Sequence, residues 1–208
     1  MSRPTVPPQP DEAAQPQQSQ PPPPQEASAS SLMAIIALIL RIITLVSLIV
    51  STIIIVTTNA TFGGPYQTVE INFNDIYAYR YVLAVNVLGL VYTKLQLPSS
   101  IRLVISGKPL WKNPGFLMYD FLGDKVLLSL LASGVGAAFG ATMDLKKNLD
   151  DLDDIFQEEY NSTVLALIRV KLDEFFSKAY VSAGFLLIAF LTSIISSIIS
   201  SLVLTRKA

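Results

Sequence analysis

Arg41 and Asp124 are the two side chains whose chemistry contrasts most with their surroundings. Arg41 lies inside the apolar run Leu32–Thr57, and Asp124 lies inside the run Tyr119–Met143. An ionised side chain at the centre of a bilayer costs about 3 kcal/mol or more, so such residues usually face a partner or a polar route. At 1.5 Å per helical residue, Arg41 is roughly 13 Å into its run and Asp124 roughly 8 Å into its own. If both runs cross a membrane in the same direction, a long arginine side chain can reach that carboxylate. An ion pair there would relieve the desolvation of both groups and specify which helix faces meet. This pairing is the reading we favour. In the alternative, Arg41 snorkels to the headgroups while Asp124 pairs with Lys125 or with water.

The remaining residue types offer little further chemistry. The chain has no cysteine and no histidine. These absences remove the commonest general base, the thiolate nucleophile and the cysteine or histidine zinc sites. We therefore expect no catalytic residues, no metal and no cofactor, and read the chain as non-enzymatic. Asp150, Asp151, Asp153 and Asp154 form an acidic run without the alternating ligands and turn glycine of a calcium loop, so a solvated acidic face is expected. The net charge is −1, with no basic stripe to neutralise phosphates, which excludes a nucleic-acid partner.

The elements that carry Arg41 and Asp124 follow from hydropathy. Hydrophobic residues make up 51% of the 208 and charged residues only 15%, a balance that places the chain in a membrane. Four runs, Leu32–Thr57, Ala78–Leu97, Tyr119–Met143 and Ala179–Leu204, each approach the ~20 residues needed to span a bilayer as a helix. The expected fold class is all-α: a four-helix transmembrane bundle with a disordered N-terminal tail and an extended, partly helical second outer loop. The tail, residues 1–31, is rich in Pro, Gln, Ser and Ala, with Pro21–Pro24 in succession as a possible polyproline ligand. In the loop 144–178, Leu145, Leu149, Leu152 and Phe156 recur at helical spacing, as do Leu165, Ile168, Leu172 and Phe175. They predict two short amphipathic helices lying over the bundle end.

Within the third run, Ser129, Ser133, Gly136 and Gly140 share one helix face, and Asp124 points the other way. Small residues permit close backbone approach, which drives helix association in lipid. The partner is another helix of the same bundle or a second copy of the chain. In the fourth run Ser193, Ser197 and Ser201 form a hydroxyl row, read here as ordinary back-bonding to helix carbonyls. Arg80 and Lys94, near the two ends of the second run, are expected to anchor it at the interfaces.

Lysine and arginine counts barely distinguish the two sides. The short loop 98–117 nevertheless carries three such residues where 58–77 carries none, which favours both termini in the cytoplasm. Two N-glycosylation sequons, at Asn59 and Asn161, then fall outside. Asn161 lies mid-loop, whereas Asn59 is close to the membrane.

The entry to the second run reads Asn72-Phe73-Asn74-Asp75-Ile76-Tyr77-Ala78-Tyr79-Arg80-Tyr81, followed by Asn86-Val87 and Tyr92. Together with Arg41, Gly123-Asp124-Lys125 leading to Leu130-Leu131-Ala132-Ser133-Gly134, and Phe176-Ser177-Lys178-Ala179-Tyr180-Val181-Ser182-Ala183, it resembles the Casparian strip membrane protein-like family of plants. The resemblance covers about residues 32–204. It implies a plasma-membrane protein with cytoplasmic termini, in which Arg41 and Asp124 match the family's signature charges. It also implies homodimers, heterodimers or higher oligomers with related members, and a scaffold that guides local cell-wall modification. The competing function is a small transporter or channel subunit using Arg41 and Asp124, which would need a polar lining along the whole bundle.

Overall fold

The computed structural model describes residues 24–63, 68–106, 114–160 and 164–205. Residues 1–23 of the tail, including most of its proline run, and Asn161 lie outside them. Four helices dominate: α1 (Pro24–Val56), α2 (Tyr77–Ser106), α3 (Pro114–Tyr160) and α4 (Val164–Thr205). Each contains a segment long and apolar enough to cross a membrane. The chain is thus an all-α bundle of four candidate spans.

The helices exceed the apolar runs because the flanking residues also favour helix. α1 starts at Pro24, eight residues before the expected Leu32, where a fixed φ and a missing N–H suit the first helical position. α2 continues through Pro98 to Ser106 rather than stopping at Leu97. Beyond that proline, the hydroxyls of Ser99 and Ser100 donate to the Gln96 carbonyl at 2.8 and 3.2 Å. The segment 144–178 differs most from expectation. Instead of separate helices lying over the bundle, α3 and α4 run on as one antiparallel helical hairpin.

The reason lies in the phase of the apolar residues. Leu145 and Leu149 continue the buried face of α3, and Leu172, Phe175 and Phe176 continue that of α4. One seam therefore runs unbroken from the bundle into the hairpin. Ion pairs Lys146–Asp173 (3.7 Å) and Arg169–Asp150 (3.2 Å) flank it. Leu152 points away and is 52% exposed. The side chains of Phe156, Leu165 and Ile168 lie outside the described residues.

Between α1 and α2 the chain forms a small hairpin where a plain loop was expected. β1 (Asn59–Gly63) pairs antiparallel with β2 (Thr68–Asn72), with Ala60 opposite Ile71 and Thr61 opposite Glu70. A 3₁₀ turn, Phe73–Asp75, then leads into α2; the Asn72 amide donates to Asp75 Oδ2 at 2.8 Å. The strands alternate as a half-buried ribbon should: Ala60 is buried among Phe175, Phe176 and Leu172, whereas Asn59, Thr61 and Glu70 are exposed.

α1 packs on α2 and α4, and α3 packs on the same two neighbours, so α1 and α3 stand across the bundle diagonal. Leu48, Val85, Leu127, Leu131 and Leu186 fill the centre. The isoleucines of α1 on the other side, such as Ile39, Ile42 and Ile53, are exposed, as a lipid-facing surface requires.

Candidate functional site

One half of the bundle carries a polar network that joins α1, α2 and α3, with a separate polar contact from α3 to α4 beside it. Its level is set by the contact of α2 with α3 at the other end, where Tyr79 shares a 2.9 Å hydrogen bond with Thr142. From Tyr79 to Gln96 is 17 residues, and from Thr142 back to Asp124 is 18. At 1.5 Å per residue these are roughly 26 and 27 Å, so Gln96 and Asp124 arrive at the same depth.

There the Gln96 amide Nε2 donates to Asp124 Oδ1 at 2.6 Å and to Tyr92 Oη at 2.6 Å, and Tyr92 Oη donates to the same carboxylate oxygen at 2.9 Å. Gly123 gives Tyr92 room: a Cβ on this glycine would lie 2.6 Å from the tyrosine ring and hydroxyl. On the other side of α2, Arg41 Nη1 donates to Ser100 Oγ and lies 3.5 Å from the Gln96 carbonyl. The guanidinium is 8% exposed, and its Nε has no hydrogen-bond partner among the described residues. Beside this network, Lys125 separately links α3 to α4 by donating to Ser197 Oγ at 2.9 Å, with its ammonium 5.2 Å from the Phe121 ring centroid.

Arg41 and Asp124 thus belong to one network, but the expected direct ion pair gives way to an indirect link through Gln96. Among the described residues, the guanidinium's hydrogen bonds go to α2 and not to α3. The diagonal placement of α1 and α3 is the physical cause, since α2 stands beside both and supplies the bridge. A neutral amide can accept from arginine at its backbone end and donate to a carboxylate at its side-chain end. The network can hold α1, α2 and α3 in one register, and the Lys125–Ser197 contact ties α4 to α3. Nothing in it resembles a nucleophile with its base.

The other residues singled out by sequence divide cleanly. Ser129, Ser133, Gly136 and Gly140 all lie on the outside of the bundle. A Cβ added to Gly136 or Gly140 would meet nothing within 4 Å. Ser129 and Ser133 line a groove of ≈ 450 Å³ with Lys125, Val126 and Leu130, and Ser133 takes a 2.6 Å hydrogen bond from Tyr81. In α4, Ser201 back-bonds to the Ser197 carbonyl at 2.8 Å. Asn59 is exposed on β1. At the α2 entry, Arg80 Nε donates to the Asn74 carbonyl, and the guanidinium stacks 5.2 Å from the Tyr77 ring.

Sequence reasoning missed Gln96, Ser100 and a second polar layer. Arg41, Thr44, Ser47 and Ser51 are all buried on the interior face of α1. Thr44 meets Thr192 at 2.8 Å, and Ser51 meets both Ser182 and Asn86. The signal was available. In a run this apolar, hydroxyls spaced at three and four residues mark a face turned from lipid.

A bundle of four helices, each with a segment long and apolar enough to cross a membrane, defines a multi-pass membrane protein. The chain matches the Casparian strip membrane protein domain over residues 30–192. The CASP-like protein 4D1 of Arabidopsis thaliana is 38% identical over 161 residues, covering 75% of this chain and 80% of that protein. The CASP-like protein 4D1 of Ricinus communis is 38% identical over 159 residues (76% and 84%). The CASP-like protein 4D2 of Arabidopsis thaliana is 36% identical over 162 residues (76% and 83%). No solved structure matches the chain significantly. The chain belongs to the Casparian strip membrane protein-like family.

Proposed function

We propose that this protein is a non-enzymatic scaffold of the plasma membrane. It self-associates, as homodimer, heterodimer or higher oligomer, through the outer face of α3 and recruits cell-wall-modifying partners to the membrane patches so formed. One observation carries the reading: Gly136 and Gly140 face out of the bundle with open space around them. Glycine costs about 1 kcal/mol relative to alanine in a helix interior, and here no contact among the described residues accounts for it. A second helix laid on the Ser129, Ser133, Gly136 and Gly140 face would approach closely enough for extensive van der Waals contact. The groove beside Ser129 and Ser133 adds relief on the same surface.

In this reading both termini are cytoplasmic, and the helical hairpin with Asn161 is extracellular and open to N-glycosylation. Arg41 and Asp124 keep each subunit's helices in register. The transporter reading has less support: Leu48, Leu131 and Leu186, each 0% exposed, fill the bundle centre with apolar volume. The native chain lacks cysteine, so a Ser133→Cys variant in bilayers reports the interface directly. Oxidative crosslinking to dimer is expected, with loss of the crosslink when Gly136 and Gly140 become leucine. A monomer at every protein-to-lipid ratio would sink the proposal.

A further inference from the structure

We propose that Asn86 anchors a buried water molecule at the junction of α1, α2 and α4. Asn86 is 0% exposed, and its Nδ2 donates to Ser51 Oγ at 3.0 Å. Its Oδ1 is equally buried and has no hydrogen-bond partner among the described residues. Turning the amide over leaves the deficit in place, because Nδ2 would then occupy the unpartnered position. The neighbouring hydroxyls are already engaged with each other. Ser51 Oγ lies 3.0 Å from the Ser182 carbonyl and 3.1 Å from Ser182 Oγ, while Ser182 Oγ donates to the Ser51 carbonyl at 2.9 Å.

Buried polar groups in folded proteins are satisfied by protein or by ordered water, and the exceptions are few. A bundle in hydrocarbon has no bulk solvent to supply the missing bond. Neither a lipid headgroup nor a second chain reaches a side chain with no exposed surface. Water can, and a single molecule can donate one proton to Asn86 Oδ1 and the other to a serine hydroxyl oxygen, whose own proton is already given to a carbonyl. With it, the junction becomes a satisfied polar node that holds α2 against the α1–α4 pair. Without it, Asn86 would be a poorer residue at this position than leucine.

The test uses the full-length protein in lipid bilayers and water-edited solid-state NMR. Val85–Asn86 is the one Val–Asn step in the sequence, so carbonyl-labelled valine with labelled asparagine assigns the residue without any variant. Magnetisation is expected to pass from water to the Asn86 side-chain amide about as quickly as to exposed Asn74. Transfer as slow as to the side chain of core Leu131 would overturn the proposal. In an Asn86→Leu variant, the water signal at Ser51 and Ser182 is expected to disappear. Its persistence there would show that the serines hold the water without Asn86 and would overturn the assignment.

Discussion

Gly134 and Gly136 are two residues apart on α3 and look in opposite directions. A Cβ on Gly134 would lie 2.9 Å from Val85 Cγ1 and 3.4 Å from Leu186 Cδ2, so the packing of this chain explains the missing side chain. A Cβ on Gly136 or Gly140 would meet nothing within 4 Å, so packing among the described residues does not explain those glycines. The inner face of α3 is therefore committed to its own bundle, whereas the outer face is free for a partner. Small residues look alike in a sequence, but the two faces should respond to the same substitution in different ways.

The sharpest way to break this comparison is to enlarge both faces. Gly134→Leu is expected to abolish the folded bundle, since even one added methyl group in a close-packed core costs about 1–3 kcal/mol. Thermal unfolding in detergent would measure it. The paired change of Gly136 and Gly140 to leucine is expected to leave that transition within a few degrees of wild type and to remove only the oligomer. A bundle that melts early after the outward change would show that α3 is turned differently.

Next in size is Asp124→Leu, which removes the carboxylate that the Tyr92 hydroxyl and the Gln96 amide share and should destabilise by about 1–3 kcal/mol. Asp124→Asn, which keeps an acceptor oxygen, should cost less. A smaller effect tests the bridge. A double-mutant cycle between Arg41→Ala and Asp124→Ala should give a coupling of about 0.5–1 kcal/mol that vanishes once Gln96 is alanine. Coupling that survives in the Gln96→Ala background would mean that the two charges interact directly. The smallest expected change is Tyr81→Phe, which removes one hydrogen bond to Ser133 at the edge of the outward face. Polar contacts of this kind in membrane bundles average about 0.6 kcal/mol. A larger loss would tie the outer face to the fold itself.

Much of the bundle was legible because bilayer thickness imposes a length that composition reveals. The four runs, the charges within them and the shared face of Ser129, Ser133, Gly136 and Gly140 all come from that constraint and from helical periodicity. The α3–α4 hairpin was misread because Leu145 and Leu149 have the same spacing whether their helix lies across the bundle end or continues α3. Packing against Leu172 and Phe175 decides between the two. The strands β1 and β2 were missed because Asn59–Gly63 and Thr68–Asn72 are short, and only pairing reveals them. Gln96 was overlooked because one amide near the end of a span is unremarkable until its neighbours are known.

By itself, the amino-acid sequence determined that four helices are long and apolar enough to cross a membrane, that Arg41 and Asp124 are charges within such runs, and which side chains share a helix face. Only the tertiary structure decided that α1 and α3 are diagonal, that Gln96 joins the two charges, and that the glycine stripe looks outward. The reason is geometric: periodicity sets the angles between residues along one helix, whereas the rotation of that helix against its neighbours is set by contacts between helices.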